Sequence, residues 1–195
     1  MTKQLVLGSV LGAIVLFVWS AIAWMSIPWP GEPLRSFTNE DAMAQAITAN
    51  APRSGNYILP NMPKRTPGMT DQQYAAAEKA MADRWGRGPI VFAAVRLEPF
   101  GSFGAALVIQ FLTQFVLALL ATLLLLQTSG LSRAGRIAFV AAIGVIIFVG
   151  GHVDEWTWWS FSNAYMLMQF GAIVIGWVLA ALVISMFVRG KTATA

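Results

Sequence analysis

Residues 103–127 read FGAALVIQFLTQFVLALLATLLLLQ, a run without one charged side chain, in which Gln110, Thr113 and Gln114 stand close together. At about 1.5 Å rise per residue, roughly 20 such residues cross the ~30 Å hydrocarbon core of a bilayer. The stretch therefore reads as a membrane-spanning helix. Three more runs are of similar apolar length, at residues 4–27, 135–153 and 162–188.

The whole composition agrees with this reading. The chain is 57% hydrophobic and 11% charged, with a mean hydropathy of +0.64, an apolar excess that a water-soluble domain would have to expose. The expected fold is an all-α integral membrane protein with four transmembrane helices. A small mixed α/β external insertion, residues 28–100, separates the first helix from a three-helix membrane domain, residues 103–188.

Basic residues in short loops stay on the cytoplasmic side, so the loops set an orientation. Lys3 precedes the first run, Arg133 and Arg136 lie between the second and third, and Arg189 and Lys191 follow the fourth. The connection Gly151-His152-Val153-Asp154-Glu155 carries no lysine or arginine. Both termini are expected inside, with residues 28–100 outside: the periplasmic face of the inner membrane if the source is bacterial.

Trp19, Trp24 and Trp29 fall near the outer end of the first run, and Trp156, Trp158 and Trp159 between the third and fourth. They read as an aromatic belt of interfacial anchors. Ala21-Ile22-Ala23 resembles a signal-peptidase site, but the apolar run continues through Trp24, Met25 and Ile27, so the first helix is expected to be retained.

All nine prolines lie between Pro28 and Pro99, which keeps this helix breaker out of every apolar run. Within that segment, Thr38 is expected to cap a short helix to about Ala49. Thr70 is expected to cap a second to about Trp85, with Gly86 as its stop. Tyr57-Ile58-Leu59 and the run from Ile90 to Val95 have β character and are expected to pair.

Small residues recur every fourth position at Gly8 and Gly12, at Ala134, Ala138 and Ala142, and at Ala172, Gly176 and Ala180, which predicts helix-packing faces. Gln110, Thr113 and Gln114 share one helical face. An amide in hydrocarbon needs a partner, so this patch is expected to face another helix or a polar cavity.

The densest polar and aromatic cluster runs from His152 to Tyr165. His152, the only histidine, shares a helical face with Glu155. With Asp154 they form a candidate metal or proton site, and Asn163 and Tyr165 are further ligand or proton candidates.

Absence of cysteine excludes disulfides, thiolate nucleophiles, iron–sulfur clusters and thiolate zinc sites. A single histidine excludes bis-histidine haem within one chain, and the cofactor is otherwise open. Despite a net charge of +4, basic residues are interleaved with acids, so no nucleic-acid partner is expected.

No phosphate-binding glycine loop, nucleophile elbow or His-Glu-x-x-His motif is present. The leading expectation is a non-enzymatic membrane protein, an accessory subunit, presenting its external segment and tryptophan-rich loop to a partner or ligand. The alternatives are an oligomeric carrier, channel or metal-handling protein built on Gln110, Gln114 and the His152–Glu155 cluster, and a membrane enzyme with His152 as base.

Overall fold

The computed structural model describes residues 2–189, so Lys191 lies outside the described residues. The described residues form two compact units: residues 2–34, 100–156 and 161–189 in one, residues 35–99 with 157–160 in the other.

The first unit holds four helices long and apolar enough to cross a membrane. They are α1 (Thr2–Met25), α4 (Phe103–Gln127), α5 (Arg133–Trp159), and a fourth made of α6 (Asn163–Phe170), a π-helical turn (Gly171–Ile175) and α7 (Gly176–Phe187). Serines open two of them. The Ser102 hydroxyl accepts from the Ala105 N–H and that of Ser162 from the Tyr165 N–H, satisfying donors that a helix start leaves free.

The third helix is longer than the sequence suggests, because it continues through His152 and the acidic pair instead of yielding to a loop there. No proline follows Val153 to interrupt it. The chain reverses at Ser160, which takes a positive φ of 61°, and Ser162 then starts the next helix.

α1 packs against both α4 and α7. A side chain on Gly8 would meet Thr122 and Val188 at 2.8 Å, and one on Gly12 would meet Ile184 at 2.8 Å and Ala118 at 3.2 Å. Around these glycines, Ala13, Ala118, Ala121, Ala180, Leu125 and Ile184 are buried.

The small-residue stripes of the first and fourth helices are thus packing faces, as expected. The third helix departs from expectation. Ala134, Ala138 and Ala142 are exposed, and α5 instead buries Val140 and Gly144. Gly144 faces the Trp177 indole on α7, which leaves no room for a side chain there.

The second unit contains α2 (Glu40–Asn50), β1 (Gly55–Leu59), α3 (Asp71–Arg87) and β2 (Val91–Val95). The strands pair antiparallel, from Gly55 opposite Val95 to Leu59 opposite Val91. The first cap is Asn39, not Thr38: its side-chain oxygen accepts from the Ala42 N–H at 2.9 Å, and Glu40 and Asp41 follow in the first turn, where the helix dipole favours them.

Thr70 and Gln73 form a reciprocal capping box at the start of α3. That helix runs past Gly86 and ends at Gly88, whose φ of 69° suits a residue without a Cβ. The Trp85 indole donates to the Pro60 carbonyl at 3.0 Å, and Trp159 lies against Phe92 with ring centroids 4.8 Å apart. Among the described residues of this unit only Ala51 and Pro60 are buried, so its apolar core is small.

Candidate functional site

Alternating helix directions bring four helix ends together: the C-terminal ends of α1 and α5 and the N-terminal ends of α4 and α6. The helices do not close tightly on this side. A cavity of about 450 Å³ lies among them, lined by Leu16, Ser20 and Trp24 of α1, Gln110, Gln114 and Leu117 of α4, and Ile147 of α5. Gln169, Ala172, Ile173 and Trp177 complete the wall from the fourth helix.

Eight residues apart, Gln169 and Trp177 would stand roughly 80° apart around an unbroken α-helix. The π turn between them adds residues to one turn and reduces that divergence, so both reach the cavity. The turn is braced by two tryptophans. The Trp19 indole donates to the Gly171 carbonyl at 3.2 Å, and the Trp29 ring occupies the space where a Gly171 side chain would stand.

The lining is polar without being charged. Three carboxamides and a hydroxyl face the space, and no lysine, arginine, aspartate or glutamate does. Among the described residues, the amides of Gln110 and Gln114, the Ser20 hydroxyl and the indole N–H groups of Trp24 and Trp177 have no hydrogen-bond partner. Trp177 is only 3% exposed and Gln169 only 7%. Gln169 is paired with His152, whereas Gln110 and Trp24 lie on the exposed side of the wall, so the cavity presents accessible donors and acceptors that suit a hydrogen-bonding occupant.

Thr113, on the same face by spacing, plays no part. Its hydroxyl donates to the Ile109 carbonyl at 2.9 Å and it does not line the cavity.

A polar chain leads away from the cavity wall. Gln169 Nε2 lies 3.3 Å from His152 Nδ1, which lies 2.7 Å from Glu155 Oε2. One ring nitrogen therefore faces both neighbours. With a proton, Nδ1 donates to the Glu155 carboxylate; without it, the same atom accepts from the Gln169 amide. Phe148 stacks on the imidazole at 6.0 Å and holds the ring plane.

The remaining candidates are more dispersed. Asp154 is exposed and joins neither His152 nor Glu155, and no group of three or more potential metal ligands assembles among the described residues. Asn163 accepts from the Trp156 indole at 2.9 Å, and Tyr165 leans on Phe161 at 5.0 Å.

The six tryptophans of the expected belt are not equivalent. Trp19 and Trp29 make hydrogen bonds inside the helical unit, the latter to the Ala23 carbonyl at 2.6 Å. Trp24 lines the cavity, Trp159 packs on Phe92, and Trp156 and Trp158 are exposed.

Sequence reasoning missed Gln169, Trp177 and Ser20. Gln169 carried a usable signal, as the only glutamine inside the fourth apolar run. Comparison with family models, curated proteins and solved structures gave no match, so the chemistry of the site carries the functional argument.

Proposed function

We propose that this chain is a non-enzymatic integral membrane protein that holds a small, uncharged, hydrogen-bonding ligand among its four helices. The unmet hydrogen bonds of Gln110, Gln114 and Trp177 around one cavity carry the reading. In hydrocarbon such groups have no water to turn to, and each unsatisfied group costs about 1–3 kcal/mol. An ion is a poor fit, because no counter-charge lines the space.

Native mass spectrometry of the full chain purified from membranes tests this. A bound small-molecule adduct is expected in the wild type and is expected to disappear in the Gln110→Leu/Gln114→Leu double variant. Indistinguishable spectra from the two proteins would remove the reading.

The proposed orientation follows the loop charges. Both termini lie in the cytoplasm and residues 28–100 outside, in the periplasm if the source is bacterial. Cysteines introduced at Gly55 and Gly130 have no native thiol background. An impermeant thiol reagent added to sealed cells is expected to label the first and spare the second, and equal labelling would overturn the orientation.

A second reading, an accessory subunit, draws on the outside unit. Phe37, Met62 and Leu97 are exposed there over a unit with little core of its own. Apolar side chains so presented suit a protein partner. Under this reading the protein co-purifies with a second chain in detergent; light scattering that finds a homo-oligomer alone favours the carrier instead.

A further inference from the structure

Resting on the ligand-binding reading above, we infer that the cavity takes a quinone-type ring: a flat, neutral, conjugated ring with an oxygen function on each of two edges. Four features of the wall point to it together.

Gln110 and Gln114, one helical turn apart on α4, offer amides from one helix, and Gln169 offers another from a different helix. A ring with oxygens at two edges answers both sets. Each carboxamide carries both donor and acceptor, so it suits a carbonyl or a hydroxyl in the same position.

The indoles of Trp24 and Trp177 supply flat aromatic surface, against which a conjugated ring packs well. Trp177, almost wholly buried, has an indole N–H without a partner. Leu16, Leu117, Ile147 and Ile173 leave the rest of the wall aliphatic, fit for ring methyls and the root of a hydrocarbon tail.

Other chemistries match less well. A phospholipid headgroup would bring charge to a wall without any, and a plain hydrocarbon would leave the amides of Gln110 and Gln114 unmet. A volume near 450 Å³ falls within the roughly 300–1,000 Å³ typical of ligand sites, enough for a substituted ring and the start of a tail. The position among membrane-length helices favours a source in the lipid phase.

The test uses the full chain in lipid nanodiscs, titrated with decylubiquinone and followed by tryptophan emission. Saturable quenching is expected in the wild type, with the apparent Kd raised at least tenfold by Gln114→Leu and by Gln169→Leu. Thr113→Val, a change on α4 outside the cavity wall, is expected to leave it unchanged. Gel filtration of each variant confirms that the fold is kept.

A tail-less dimethoxy-methyl-benzoquinone separates the sources. Much weaker binding than the tailed compound supports supply from the bilayer. Equal binding keeps the ring chemistry and overturns the lipid-phase source. Quenching that never saturates, or that is equal in all variants, overturns the quinone class. If a glutamine-dependent adduct still appears by native mass spectrometry, only the ring identity fails. If neither measurement depends on the glutamines, the ligand-binding reading fails with it.

Discussion

Three of the long helices, α1, α4 and the fourth, are packed in two different ways along their length. At the end that carries Lys3, Arg133, Arg136 and Arg189, contact is close: Gly8 lies under Thr122 and Val188, and Gly12 under Ile184 and Ala118. At the tryptophan end the same helices stand apart around amides and indoles. Residue size makes the difference. Glycine and alanine let two backbones approach where no hydrophobic effect between helices is available, whereas glutamine and tryptophan hold them apart and line what is left. One end provides rigidity, and the other is free to provide a site.

The comparison breaks most visibly if the tight end is forced open. Gly12→Leu places a branched side chain where the nearest atoms already stand 2.8 Å from a Cβ. Overpacking of this kind costs about 1–3 kcal/mol, and more where the neighbours cannot move. Thermal unfolding of the detergent-solubilised chain is expected to show a lower Tm and a reduced folded yield. A Tm equal to wild type would mean that α1 is not held against α4 and α7 as described.

How far the sequence revealed this contrast depends on which interactions are local. The four long helices were legible from apolar length, and the capping of α3 from Thr70 and Gln73, since both signals lie within a few residues. The packing at Gly8 and Gly12 was legible as four-residue spacing. The Ala134, Ala138 and Ala142 stripe had the same spacing and is exposed, because which face of α5 turns inward is decided by the bulk of Trp177 on another helix.

The site was half legible for the same reason. Gln110 and Gln114 declared themselves as amides in an apolar run, and His152 with Glu155 as a pair at helical spacing. Their link through Gln169 depends on α5 continuing past Val153 and on the π turn, neither of which has a simple sequence mark. The cluster around His152 therefore read as an interfacial loop capped by acids, with metal or proton chemistry as the alternative. In the structure it is a chain of close polar contacts, Glu155 to His152 to Gln169, whose far end is a cavity wall.

A smaller effect is expected from breaking that chain of contacts. His152→Ala removes whichever of the two alternative Nδ1 hydrogen bonds is formed, to Glu155 or from Gln169, worth roughly 0.5–1.5 kcal/mol net, and leaves a half-buried carboxylate without its partner. A modest fall in Tm is expected, together with weaker ligand binding as the Gln169 amide loses its orientation. Unchanged binding at normal folded yield would show that the cavity works without the imidazole.

Gln114→Leu sharpens the contrast from the other side. The amide makes no hydrogen bond, so replacing it with an isosteric apolar side chain is expected to leave Tm unchanged or raise it by about 0.5 kcal/mol equivalent, the scale of single polar terms between membrane helices. Stability and binding then move in opposite directions, as they should at a site kept polar for its ligand. A large loss of stability would mean instead that Gln114 clamps two helices.

The smallest effect lies in the second unit, where polar contacts at the surface do the holding that a core does elsewhere. The Ser54 hydroxyl donates to the Glu98 carboxylate and accepts from the Leu97 N–H at 2.8 Å, tying the chain just before β1 to the chain just after β2. The Glu98 carboxyl is held below its ordinary value of 4.5, first by the Ser54 hydroxyl, then by its own backbone N–H and the nearby Arg96 charge, against a small opposing effect of desolvation. A folded value below the unfolded one means that the contact is fully stabilising above the ordinary carboxylate range and is lost as pH falls through the lowered value. Because Glu98 is fully exposed, solvent screening keeps this effect slight. Carboxyl-carbon NMR of the full chain is expected to show Glu98 titrating below a reference glutamate and moving back toward it in Ser54→Ala. A Glu98 that titrates identically in both proteins would assign the shift to Arg96 and the backbone, and would leave the strand ends held by β1–β2 pairing alone.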